Sequence, residues 1–169
     1  MSAEAEKRRV LDVLESEWQR LDTQLRSLDD ADLDHRVLGE GEGWRVRDMI
    51  THMAWWQELA ARVAEKIATE GGAPDDRGSR PFIGIETPLD ELNATTYETW
   101  RERPLADRLE RWLAAHRRMM VAFRALSPDQ LLQADGPDGL KRYFAMPGVV
   151  HLRMHREHIE AALKESPTT

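Results

Sequence analysis

Apolar residues recur every three or four positions over long stretches of this chain, and period-two alternation is scarce, so the pattern predicts helices rather than strands. Val10, Leu14, Trp18, Leu21, Leu25 and Leu28 step at that interval behind Ser2, a residue suited to capping, and predict helix 1 over residues 3–28. The stretch from Asp29 to Gly43, rich in Asp and Gly, reads as a loop in which Leu33, Val37 and Leu38 tuck inward as plugs. Helix 2 starts near Trp44 and runs to about Glu70, where Gly71-Gly72 stops it. Val46, Met49, Ile50, Met53, Trp56, Leu59, Ala60, Val63 and Ile67 form its broad apolar stripe.

The periodicity then lapses. Across residues 71–88, Gly71, Gly72, Pro74, Gly78 and Pro81 mark a long crossover connection, which permits helices 2 and 3 to run parallel. A short helix spans about Leu89 to Arg101, and Pro104, with its fixed φ, suits the first turn of helix 3. The inner face of helix 3 is Leu105, Leu109, Trp112, Leu113, His116, Met120 and Phe123. Ser127-Pro128 opens a loop containing Asp135-Gly136-Pro137-Asp138-Gly139, and a last helix begins near Pro147. Four long helices with one extended crossover between helices 2 and 3 predict an all-α four-helix bundle, folded as a single domain over residues 1–169.

Composition narrows the function classes. The net charge of -7, without a long Lys/Arg cluster, argues against nucleic acid as a partner. Cysteine is absent, which excludes a disulfide framework, a thiolate nucleophile and a Cys-based zinc site, so any metal must use His or carboxylates. Met1 to Arg9 is charged and lacks an apolar h-region, and no stretch approaches the length of a membrane span. These features predict no membrane partner and a cytoplasmic location.

The last helix carries the chemistry. At about 100° per residue, His151, His155 and His158 fall within roughly 60° of one another. Val150, Met154 and Ala161 flank them on one side, Leu152, Ile159 and Leu163 on the other. Arg153, Arg156, Glu157, Glu160 and Lys164 form the opposite face. Burying imidazoles without partners costs free energy, so such a row calls for something polar or metallic inside the bundle. His52, on a row with Met49, Trp56, Leu59 and Val63, should point inward from helix 2. His151 with His155 offers ligands at i, i+4, and His155 with His158 at i, i+3. Since residues 151 and 158 lie about 10 Å apart along a helix axis, His155 is the common member. With His52, either pair makes three neutral imidazoles around a divalent metal, leaving one position open for water or substrate.

The plainer alternative is a set of histidines satisfied by carbonyls, carboxylates or water. His116 reads as structural, with a supporting hydrogen bond or a fourth ligand as the alternative. His35 reads as solvated. Trp18, Trp55 and Trp56 read as core or subunit contacts before pocket lining, Asp48 as a residue suited to a helix N-terminus, and Glu157 as outward-facing.

The run Gly43-Trp44-Arg45-Val46-Arg47-Asp48-Met49-Ile50-Thr51-His52-Met53-Ala54-Trp55-Trp56 resembles the signature that opens helix 2 in the DinB superfamily. Leu92-Asn93-Ala94 through Tyr97-Glu98, with Arg101 and Arg103-Pro104-Leu105, resembles its ClbS/DfsB-like branch. His155-Arg156-Glu157-His158-Ile159 resembles the histidine-bearing end. The resemblance implies a DinB-like four-helix bundle, commonly a homodimer, with zinc or nickel held by one histidine of helix 2 and two of the last helix. His52 carries over directly. Aligning on His-x-x-x-His spacing makes His151 and His155 the pair, whereas aligning on Glu157-His158-Ile159 puts Met154 at the partner position, so His158 is the alternate. Arg45 departs from the usual Ser or Thr cap. The implied activities are transferases or isomerases that use a low-molecular-weight thiol such as mycothiol or bacillithiol, and hydrolases, all acting on a reactive small-molecule substrate. A metal-free binding or sequestration protein and a structural stress-associated dimer are the competing expectations.

Overall fold

In a computed structural model that describes residues 2–37, 43–72, 79–132 and 148–164, the long apolar stripes form helices close to where the periodicity places them. Helix α1 spans Ala3–Ser27, with Ser2 accepting the Ala5 amide as its cap. A short α2 (Asp30–Leu33) follows, and α3 covers Val46–Glu70. The crossover contains α4 (Ser79–Phe82) and α5 (Leu89–Trp100), after which come α6 (Leu105–Ala125), α7 (Pro128–Leu132) and α8 (Val150–Lys164). Among the described residues no helix is long and apolar enough to cross a membrane.

The differences from the sequence-based expectations lie in the connections. The expected loop between the first two long helices holds α2, capped by Asp29, and closes on itself where Val37 and Val46 donate to the carbonyls of Trp44 and His35. Leu33 and Val37 are buried there as expected. Ser127-Pro128 opens α7 rather than a loop, because Ser127 and Gln130 cap each other reciprocally, hydroxyl to amide and amide to side-chain oxygen. Gly71, at φ +74°, ends α3 as predicted, its N–H bonded to the Ile67 carbonyl in a conformation that a Cβ disfavours. The expected plug at Leu38, the breakers Pro74 and Gly78, the turn at residues 135–139 and the helix start at Pro147 lie outside the described residues.

Ion pairs reveal the helix directions. Arg111 and Arg118 of α6 make two-pronged bonds to Glu58 and Glu65 of α3 at 2.7–2.8 Å, so numbers ascend together and the two helices run parallel. Between α1 and α6 they descend, from Glu15 with His116 to Asp22 with Trp112, which makes that pair antiparallel. Between α1 and α8 they ascend, with Leu14 beside Gly148 and Glu17 beside Arg153. A parallel α3 and α6 require the chain to travel back along the bundle between them, and α4 and α5 belong to that crossover.

The apolar core includes Leu14, Leu21, Met49, Ile50, Met53, Ile67, Trp112, Met119 and Phe123, each no more than 2% exposed. At about 1.5–3 kcal/mol for each large side chain taken from water, these residues outweigh the α3–α6 ion pairs, whose exposed members are worth roughly 0–1 kcal/mol. Packing supplies the stability and the ion pairs select the register.

One charged pair lies inside. Arg108 is 1% exposed and Asp48 6%. The guanidinium donates to Asp48 Oδ1 at 2.8 Å and to the carbonyls of Arg47, Arg101 and Arg103, joining the start of α3 to the turn before α6. Asp48 Oδ2 accepts the Arg45 N–H at 3.0 Å, so the carboxylate caps α3, where Arg45 provides no side-chain cap and instead pairs with Asp34. Asp48 is therefore more than a complement to the helix dipole. Position 108 lies three residues after Leu105 and four before Trp112, at the edge of the inner face, but the burial of an arginine there was not foreseen.

His116 is buried as a structural residue. Its ring stacks on Trp18 at 4.0 Å, and Nε2 meets Glu15 at 3.2 Å. Trp18 also stacks on Trp112, placing it in the core as expected. Burial pushes the His116 imidazole below its ordinary 6.5, outweighing Glu15 and Asp22, which pull it up, while Arg124 adds to the depression.

Two outcomes are expected. Arg108→Met strands the buried Asp48 carboxylate and should destabilise the fold by about 3–5 kcal/mol in urea unfolding, with Arg108→Lys restoring only part because an ammonium cannot reach all four acceptors. For His116 the folded state takes up its proton less readily than the unfolded chain. Its stabilising contribution is complete above pH 6.5 and is lost as pH falls toward the lower folded value. Thermal melts from pH 8 to 5 should therefore fall less steeply for His116→Gln than for the parent.

Candidate metal centre

His52 projects from the first half of α3, and His151 and His155 project from successive turns of α8. They are 6%, 6% and 1% exposed. One ring nitrogen from each lies within 4.8 Å of the other two. Ring centroids are 5.3 Å apart for His52 and His151, 5.0 Å for His52 and His155, and 4.2 Å for His151 and His155. Two segments remote in sequence thus bring three imidazoles to one point.

The remaining histidines stay outside this group. His158 is half-buried, with its ring 5.8 Å from that of His155. His116 lies at the α1–α6 contact and is neither a fourth ligand nor a support for the group. His35, expected to be merely solvated, is half-buried, and its Nδ1 bonds to the Asp32 carbonyl at 3.1 Å.

The last helix is rotated from the expected orientation. Leu152, His155, Ile159 and Ala162 are buried, while Val150 and Met154 are 48% and 37% exposed and Ala161 is exposed. The predicted apolar flank of Val150, Met154 and Ala161 therefore faces outward. Arg153 is exposed, as its place on the outer face predicts, and its guanidinium still reaches the Glu17 carboxylate at 2.7 Å, with Glu17 only 4% exposed. The Arg153 hydrogen bond holds the Glu17 carboxyl below its usual value. The spacing of Glu17, three residues after Leu14 and four before Leu21, puts this buried acid at the edge of the α1 apolar stripe, from where it holds the Arg153 guanidinium of α8. Gly148 contributes where the chain enters α8, since a Cβ there would lie 3.0 Å from Leu14. Glu157 is exposed, as expected.

Electrostatics favour neutral rings. His151 is held well below 6.5, first by burial and then by repulsion from His155 and His52, so it carries a lone pair rather than a charge at pH 7. The Nε2 atoms of His151 and His155 are 2.7 Å apart. Only one of them can carry a hydrogen at that distance, and the other presents its lone pair. Whichever role His151 takes, its Nδ1 remains buried without a hydrogen-bond partner among the described residues. Three buried imidazoles, each offering one ring nitrogen within 4.8 Å of the others, form a donor set that could hold a metal ion.

Aromatic rings enclose the group. Trp44 sets its edge against His52 at 5.1 Å and stacks on Tyr97 of α5 at 5.8 Å. Trp56, one turn after His52, lies 6.4 Å from His52 and 5.6 Å from His151. Trp55 and Trp56 are half-buried, so they are not core residues, and Trp56 borders the histidines. The backbone closure between residues 35–37 and 44–46 holds Trp44 in place over the site.

Comparison with known proteins agrees with this architecture. The solved structure described as Sibling Lethal Factor Precursor, DfsB, superimposes with a TM-score of 0.72 over 96% of this chain and 98% of its own, at 14% identity, a likeness of fold. No curated protein matches the chain significantly. The family model for the mycothiol maleylpyruvate isomerase N-terminal domain matches residues 14–164. With nearly the whole chain matched and the DfsB fold shared, the protein belongs to that family, within the DinB superfamily.

Proposed function

We propose that the protein is a metal-dependent enzyme whose divalent ion, zinc or nickel, is held by His52, His151 and His155. The observation that carries this reading is the convergence of three buried imidazoles from α3 and α8 within 4.8 Å. His52, His151 and His155 would hold the ion, which when bound would supply Lewis-acid chemistry able to lower the pKa of a thiol or water. The chain's own part is to keep His151 neutral, to hold the three rings together in the interior, and to exclude bulk water with Trp44 and Trp56.

The chain contains no cysteine, so a thiol nucleophile enters as a small molecule. Membership of the mycothiol maleylpyruvate isomerase N-terminal domain family supports a low-molecular-weight thiol as co-substrate. The reaction class is transfer or isomerisation of a small electrophile, with hydrolysis as the second reading when water takes the open position.

Elemental analysis of protein purified without a nickel column tests the ligand set. The parent should carry about one divalent ion per chain. His52→Ala and His155→Ala should each lose affinity by more than the roughly 10–100-fold typical of a supporting residue, while His158→Ala keeps it. Equal metal content in all four proteins would overturn the assignment. A metal-free binding protein predicts that chelator treatment leaves binding of a small electrophile unchanged, whereas a metal-dependent enzyme predicts that thiol-dependent turnover stops and returns on adding zinc or nickel.

A further inference from the structure

The indole of Trp56 offers a polar group that the histidine set does not use. Its N–H is buried and meets no acceptor among the described residues. The ring is tilted steeply against both His52 and His151, at 71° and 64°, so it stands at the border of the site rather than in the apolar core. An indole nitrogen can only donate, and a buried donor without an acceptor costs free energy that an apolar ring of similar size would avoid. Phe would fill the same space without that cost.

We propose that Trp56 is the second anchor of the site, donating its indole hydrogen bond to a ligand held in the position that His52, His151 and His155 leave open. This rests on the metal-site reading above. The chemistry specifies the ligand class. It must offer one donor atom toward the three imidazoles and a second lone-pair atom toward the indole. A small carboxylate meets both needs, with one oxygen for each anchor. Its negative charge also complements a divalent ion surrounded by neutral rings, whose charge no ligand of the set offsets. A carboxylate-bearing substrate would then be oriented by Trp56 and polarised from the other side. No covalent step is assigned to Trp56, which acts as a positioning residue.

The test uses the full-length protein loaded with cobalt(II), whose visible absorption reports changes in coordination, titrated with acetate and separately with pyridine. Pyridine supplies one donor atom and no second acceptor. Trp56→Phe should bind cobalt with the same stoichiometry as the parent, bind acetate about tenfold more weakly, and bind pyridine equally well. Unchanged acetate affinity, or equal losses for acetate and pyridine, would overturn the role of the indole while leaving the metal site intact. Failure of the parent itself to take up cobalt would overturn the metal-site reading and this inference with it. Should Trp56→Phe fold poorly, Trp56→Leu read by the ratio of acetate to pyridine affinity distinguishes the same outcomes, because that ratio cancels losses from general loosening.

Discussion

The parallel pairing of α3 with α6 is the constraint from which the rest of the arrangement follows. Two parallel neighbours cannot be joined by a short turn, so the chain must return along the bundle, through a crossover that includes α4 and α5, with α5 laid against α3. With one side of α3 committed to α6 and another to α5, the face bearing His52 is left for α8. Helix α3 is consequently buried over most of its circumference, from Val46 to Ile67. The His52 side chain on such a helix has little freedom to move.

Energetic roles divide unevenly along that pairing. The apolar side chains between the helices supply most of the favourable free energy, and the Arg–Glu pairs at Glu58 and Glu65 add little beyond register. Register nevertheless matters at the far end, where Arg108 binds Asp48 and three carbonyls at once. Asp48 sits four residues before His52. The same carboxylate that caps α3 is thus tied through Arg108 to the crossover that carries Tyr97, and Tyr97 backs Trp44 against His52. Fold and site share these residues.

Within the site, burial has opposite effects on two kinds of group. It keeps His151 neutral, which favours coordination, and it leaves the Trp56 N–H without an acceptor among the described residues, which favours a ligand able to supply one. Both features make sense together if the interior is built around a bound polar species rather than around hydrocarbon alone.

The sequence by itself determined the long helices, the need for a long crossover and the inward direction of His52, because each depends on local periodicity and on breakers such as Gly71, whereas the short α2 and α7 were read as loops. His151 and His155 were legible as a pair because i, i+4 spacing places two rings on one face whatever the surroundings. What only the tertiary structure decided was which histidines meet. His158 occupies nearly the same stripe and falls outside because α8 is turned by the Arg153–Glu17 contact, an interaction between residues 136 positions apart. Arg108 and Glu17 lie at the edges of their helices' apolar stripes, but spacing along a helix gives the angle of a side chain and not the charged partner that will hold it there. The exposure of Val150 and Met154 and the placing of Trp56 beside the imidazoles have the same origin: rotation of a helix about its own axis is settled by partners on other helices, and no local pattern records them.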